Sequence, residues 1–227
     1  MKRVLFGVLV IAMVAVGVVA ASAQAHRGRA GLGSSTTYVF TTATNEFTPG
    51  TRNQGWWSSN EASSNTNDNY IARSGTGNLN HDYFTFDISG FGNHCALGSS
   101  AYLTVPRGSG FTTGAPVLTL GLYDVSTDAK TLSQKVNNPN SVIYNDLGSG
   151  KSYGNFVLPT TSGAPFTLNL NGVALAAINE AHQNGQQFFS IGGALINPPA
   201  IPITYLFGFT GGTTITLTVT VPKICHA

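Results

Sequence analysis

The chain has 227 residues, of which only 9 % are charged, and its formal net charge is +2. Lys2 and Arg3 belong to an N-terminal leader, so nine basic and nine acidic side chains remain beyond it. That balance, with no basic stripe, excludes the electrostatic attraction that drives nucleic-acid binding and leaves Ser, Thr, Asn, Gln and Gly to build the solvated surface.

The leader comes first. Met1-Lys2-Arg3 precedes an apolar run from Val4 to Ala21, and small residues continue to Ala25. A basic start, a short apolar core and an Ala-x-Ala site form a secretory signal peptide over residues 1–25, cut after Ala23 or Ala25. The alternative is an uncleaved anchor, and the run is near the lower length limit for a spanning helix. The change from bulky to small residues, with no basic cluster close behind, favours cleavage and a secreted, extracellular chain of bacterial export with no membrane attachment. Residues 26–35 (HRGRAGLGSS) read as a flexible arm, and 36–227 as a single domain long enough to bury a sizeable core.

From Thr36 onward the hydrophobic period is two. Strands are expected at 37–43 and 69–73. Phe84, Phe86 and Ile88 then share one face of the segment 82–89, with Tyr83, Thr85 and Asp87 on the other. Ala101, Leu103 and Val105 repeat the pattern up to Pro106, and Leu118, Leu120 and Leu122 repeat it again. Further strands are expected at 142–146, 153–158, 165–170, 187–195 and 203–209. Ile215, Leu217, Val219 and Val221 alternate with threonines in a last half-buried strand that Pro222 closes. One segment breaks the rhythm. Asn171 can cap and Gly185 can end a short helix near 172–184, with Leu175, Ile178 and His182 on one stripe. About ten strands and one helix, without βαβ alternation, predict an all-β, antiparallel two-sheet sandwich of jelly-roll type whose helix covers one open end.

Cys95 and Cys225 are the only cysteines. In an oxidising compartment they are expected to pair, closing a long loop worth about 4–5 kcal/mol in the chain-entropy account. The alternatives are two buried thiols, or zinc held with His94 and His226, although adjacent ligands chelate a tetrahedral ion poorly.

The stretch from Gln54 to Tyr70 carries both tryptophans beside a run of amides and hydroxyls. Aromatic rings stack on sugar faces while amides and carboxylates bond ring hydroxyls, so Trp56, Trp57, Asn67, Asp68, Asn69 and Tyr70 form a candidate glycan site. Neighbours on a strand face opposite ways, which makes one indole of the pair core and one exposed. No cofactor is expected. The alternative is calcium on Asn65, Asn67, Asp68 and Asn69, whose spacing is not that of an EF-hand and which also suits a plain Asn-rich turn. Gly148-Ser149-Gly150-Lys151-Ser152 lacks the first glycine of a phosphate loop and reads as a turn. His81, Asp82 and Asp87 could serve a triad, but no feature places its serine. Asp82 and Asp87 have opposite parity on one strand, which disfavours them as a hydrolytic pair.

In order along the chain stand Trp56-Trp57, Asn67-Asp68-Asn69-Tyr70, Tyr83-Phe84-Thr85-Phe86-Asp87-Ile88-Ser89, Leu122-Tyr123-Asp124-Val125-Ser126, Asp146 to Gly154, and Phe189-Ser190-Ile191-Gly192-Gly193. This series, over about residues 53–196, resembles an uncharacterised exported bacterial domain often found in proteins with exosortase-type (PEP) C-terminal sorting signals. More loosely, the Phe-Asp-Ile-Ser strand resembles carbohydrate-binding-like jelly rolls. The resemblance implies an extracellular β-sandwich and no catalytic residues. The chain ends at Cys225-His226-Ala227 without a sorting tail, which favours release over surface anchoring. The functional expectation is a non-catalytic protein that binds glycan or another cell-surface or matrix component. The alternatives are a structural matrix or coat protein and a secreted polysaccharide hydrolase.

Overall fold

The computed structural model describes residues 35–59, 63–64, 71–73, 79–91, 98–107, 117–136, 140–159, 163–196, 198, 204–205 and 214–222. The expected leader at 1–25, residues 26–34 of the expected arm, Cys95, Cys225, His94, His226 and the 65–70 segment lie outside them. Most strand positions expected from the period of two are occupied by strands. The four-stranded sheet contains β1 (Ser35–Thr41), β6 (Ser100–Arg107), β9 (Gly163–Asn169) and β12 (Thr216–Pro222), in the order β1-β12-β6-β9. The larger sheet contains β2 (Gln54–Ser58), β3 (Ser63–Ser64), β5 (Asn80–Asp87), β7 (Thr119–Asp124), β8 (Ser152–Val157) and β10 (Phe188–Ile196), in the order β3-β2-β5-β10-β7-β8. A short pair joins β4 (Ile71–Arg73) to β11 (Thr204–Tyr205). The orders 1-12-6-9 and 5-10-7-8, with antiparallel pairing throughout, are those of a jelly roll widened by β2 and β3.

The alternating sequences set the register, because a one-residue slip would turn each apolar set to the solvent. Phe40 lies opposite Leu217, Leu217 opposite Leu103, and Leu103 opposite Leu168. These four form one buried row across the smaller sheet. Phe84, Phe86, Leu120, Leu122 and Ile191 face them from the larger sheet and complete the main core.

The expected helix is present as α3 (Gly172–Gln183) once two shorter helices, α1 (Ala129–Leu132) and α2 (Ser141–Leu147), are counted before it. Asn171 caps α3 by accepting hydrogen bonds from Val173 N and Ala174 N, and Gly185 leaves it at a φ of 65°. Ala174, Ile178 and Ala181 are buried against β6, β8 and β10, so the helix closes one end of the core. Buried Asn179 stitches it down, donating to Gly98 O at 3.2 Å and accepting from Gly98 N at 2.8 Å.

Two expectations are corrected. Residues 142–146 are helical, not a strand: the Asn140 side chain accepts from Val142 N and Ile143 N and starts α2. Ile143 and Leu147, four apart, are then buried while Val142 is 75 % exposed, the spacing of a helix face and not of a strand. The second is the expectation of one helix: α1 and α2 join α3. α1 and α2 cover the outer face of the larger sheet, forming a second core of Trp57, Tyr83, Leu132, Ile143 and Leu147. β5 is therefore buried on both faces. Gly192 on β10 permits this packing, since a Cβ there would lie 2.4 Å from Leu147 O. Among the described residues no helix is long and apolar enough to cross a membrane.

Candidate functional site

A cleft of about 640 Å³ opens at one end of the sandwich, between α3, the start of β10, the loop leaving β7 and the start of β8. Its position follows from local chemistry. Leu118, Leu120 and Leu122 point into the core, and the same parity carries Asp124 to the rim of the sheet. There Asp124 Oδ1 accepts the backbone N–H of Lys151 at 2.6 Å. The turn that presents this N–H passes through Gly150 at a φ of 105°, where a Cβ would come within 2.2 Å of Asp124 Oδ1. Gly148 to Ser152 is thus a turn built around a carboxylate, not a cradle for phosphate.

The loop after β7 is held from behind. Asp146 on α2 accepts from Ser126 Oγ (2.8 Å), Thr127 N (2.8 Å) and Thr127 Oγ1 (2.6 Å), besides Ser126 N. Partial burial pushes its carboxyl up, but the Thr127 and Ser126 hydrogen bonds outweigh this and hold it below the ordinary carboxylate range. Asp128 caps α1 through Thr131 Oγ1 and N, and those two bonds hold it low as well. Across the cleft Glu180 lies exposed on α3. Burial, and then the Asp124 and Glu180 charges, push Tyr153 far above the ordinary phenol range, so its hydroxyl stays protonated. The apolar side is a tilted pair, Phe47 and Phe188, with ring centroids 5.1 Å apart. Beside it Gln187 Nε2 donates to Glu46 Oε1 at 3.1 Å. The arrangement offers ring surface, amides and carboxylates together, which is recognition chemistry for hydroxyl-rich molecules.

Neither tryptophan singled out in the sequence lines this cleft. Trp57 is 2 % exposed and its Nε1–H donates to Leu132 O at 3.1 Å. It is the core member of the pair, packed under α1 and α2, and its ring offers no stacking face. Trp56 points to the opposite side and is half-buried, opposite Asp82 on β5. Asn67, Asp68, Asn69 and Tyr70 lie outside the described residues. No triad forms from His81, Asp82 and Asp87. His81 lies on the outer face, stacked on Tyr144 with centroids 3.8 Å apart, and its Nδ1–H donates to Tyr144 O at 2.6 Å. Burial lowers its pKa, with the Tyr144 bond partly opposing. Asp82 points inward from the next residue, and Asp87 accepts from Ser89 N.

Among the described residues no group of three His, Cys, Asp or Glu is placed to hold a metal ion. Phe47, Asp124, Lys151, Glu180 and Phe188 come from five separated segments, so no local motif announces the cleft. The legible signal was Asp124, a charge continuing an apolar parity at the end of a strand. Comparison with protein-family models and with curated proteins finds no match for the chain.

Proposed function

We propose that this chain is a secreted, non-catalytic binding protein whose sandwich-end cleft receives a glycan or another polyhydroxylated surface or matrix component. The supporting observation is the convergence of the Phe47–Phe188 pair with Gln187, Asn184 and Glu180 on one cleft of about 640 Å³, a size and a mix of apolar and polar groups typical of ligand sites. The carboxylates of Asp124 and Asp128 are engaged in holding the Lys151 turn and the start of α1, which favours a positioning role over acid–base chemistry.

Binding of the mature chain to a polysaccharide array tests this. Glu180→Gln and Phe188→Ala should each weaken binding about tenfold or more, about 1.4 kcal/mol, while Trp56→Ala leaves it unchanged. Loss confined to Trp56→Ala would move the ligand to that indole, and no binding by the wild type to any glycan would end the proposal. Self-association is a second reading, favoured by Val39 on edge strand β1 and Val157 on edge strand β8, 62 % and 68 % exposed. Sedimentation that shifts with protein concentration in the absence of sugar would support it.

A further inference from the structure

The inner face of β5 carries Phe84, Phe86 and Ile88 into the main core, and the same parity places Asn80 and Asp82 on that face. Both are buried, Asp82 entirely. Neither carboxylate oxygen of Asp82 has a hydrogen-bond partner, nor has either end of the Asn80 carboxamide. Trp56, directly across from Asp82 on β2, carries a buried indole N–H that is also unpartnered. On the other flank Asp82 lies opposite Gly193 of β10, where Phe84, Leu120 and Leu122 close in to 3.4–3.6 Å of the place a Cβ would take, so that flank is apolar and gives Asp82 no partner. His81 faces the opposite way and contributes nothing here. Five orphaned polar atoms therefore meet on one patch of one sheet face, where almost all such groups in a folded protein are satisfied.

We propose that Asp82 and Asn80 are ligands of a calcium ion held on the inner face of β5 toward β2, with the indole N–H of Trp56 bonding a water on that ion. Three facts favour this occupant. A buried carboxylate without a partner needs a compensating positive charge. Burial pushes its proton affinity well up, but a proton satisfies one oxygen and leaves the Asn80 and Trp56 groups unpaired. A hydrated cation satisfies all five: two Asp82 oxygens and the Asn80 oxygen bind the ion, while the two N–H groups bond its waters. The donors are all hard oxygens, two to one between carboxylate and amide, and the alternate spacing along a strand sets the residues about 6.6 Å apart at Cα. Calcium accepts such irregular, partly aqueous shells and a bidentate carboxylate, and magnesium demands a near-ideal octahedron. With three protein oxygens the affinity belongs to the weak class of extracellular sites, about 10⁻⁴–10⁻³ M.

Terbium luminescence reads the site in the wild-type chain, because Trp56 would sensitise an ion at Asp82 while Trp57 lies beyond the sheet. Indole excitation should give terbium emission that millimolar calcium displaces and magnesium at the same concentration does not. Trp56→Phe should cut that emission severalfold while the calcium-dependent rise in melting temperature, lost with chelator, persists. Asp82→Asn and Asn80→Ala should each remove the calcium response by calorimetry. The proposal is overturned by an absent calcium response in the wild type, or by stability that follows pH alone and ignores calcium. A calcium response that survives both the Asp82 and Asn80 substitutions also overturns it, because the ion would then sit elsewhere, as on the Asn65–Asn69 run.

Discussion

At the scale of single residues, Asp146 shows how one side chain fixes the rim of a cleft it does not line. Its two oxygens collect bonds from Ser126 and Thr127, and through them set the loop that bounds the cleft. Asp146→Asn keeps the shape but loses the charge and turns one acceptor into a donor facing donors. Charge-assisted bonds of this kind are worth about 1.5–3 kcal/mol net, and partial exposure puts the expected loss near the lower figure. The pH dependence has a definite sign. The native pKa lies below the unfolded value, so the stabilisation is complete above about pH 4 and fades as pH falls through the native pKa. Denaturant titrations of wild type and Asp146→Asn should therefore differ at pH 7 and converge in acid. A gap that instead widens as pH falls would contradict the assignment. The tryptophan pair teaches a related lesson. Strand parity made it legible that Trp56 and Trp57 face apart, but not which was core. That is decided by Leu132, Ile143 and Leu147, brought over Trp57 from more than seventy residues downstream.

At the scale of elements, the strands were legible because each carries its own period of two, and α3 because it carries its own cap and its own stripe. α2 was misread because Val142, Ile143 and Tyr144 are β-branched or aromatic, and local preference argued for a strand. What overrides it is tertiary: the Asn140 cap, and a sheet face with room for a helix at Gly192. That room can be tested. Gly192→Ala places a methyl within 2.4–2.9 Å of the Leu147 backbone, and backbone cannot rotate aside as a side chain can. The substitution should cost about 3 kcal/mol or more by chemical denaturation and disturb the indole environment of Trp57. Gly172→Ala is the matched control. It stands at the first turn of α3 with nothing within 4 Å of its added Cβ, and it should be neutral or stabilise by up to about 1 kcal/mol. Equal costs at both positions would show that the close approach of α2 to the sheet is not what requires Gly192.

At the scale of the whole molecule, the jelly roll puts the first and last described strands side by side, so the smaller sheet is complete only when both ends of the chain have arrived. β12 lies between β1 and β6, and Leu217 stands opposite Phe40 on one side and Leu103 on the other. The alternation of leucines and valines was legible in the sequence, but the row Phe40–Leu217–Leu103–Leu168 was not, because its partners lie far apart along the chain and each pairing depends on the others. Long-range pairing of this kind closes slowly and as a unit. Leu217→Ala should therefore cost about 2–5 kcal/mol, and its effect should show equally in probes of both sheets, with a single unfolding transition. Removing 214–222 is the stronger form of the test. It strips β1 of its strand partner and exposes the Leu103 edge of β6, so the shortened chain should show no cooperative thermal transition. If it kept one near the wild-type temperature, the larger sheet with α1 and α2 would be stable alone, and the sandwich would be two folding units instead of one.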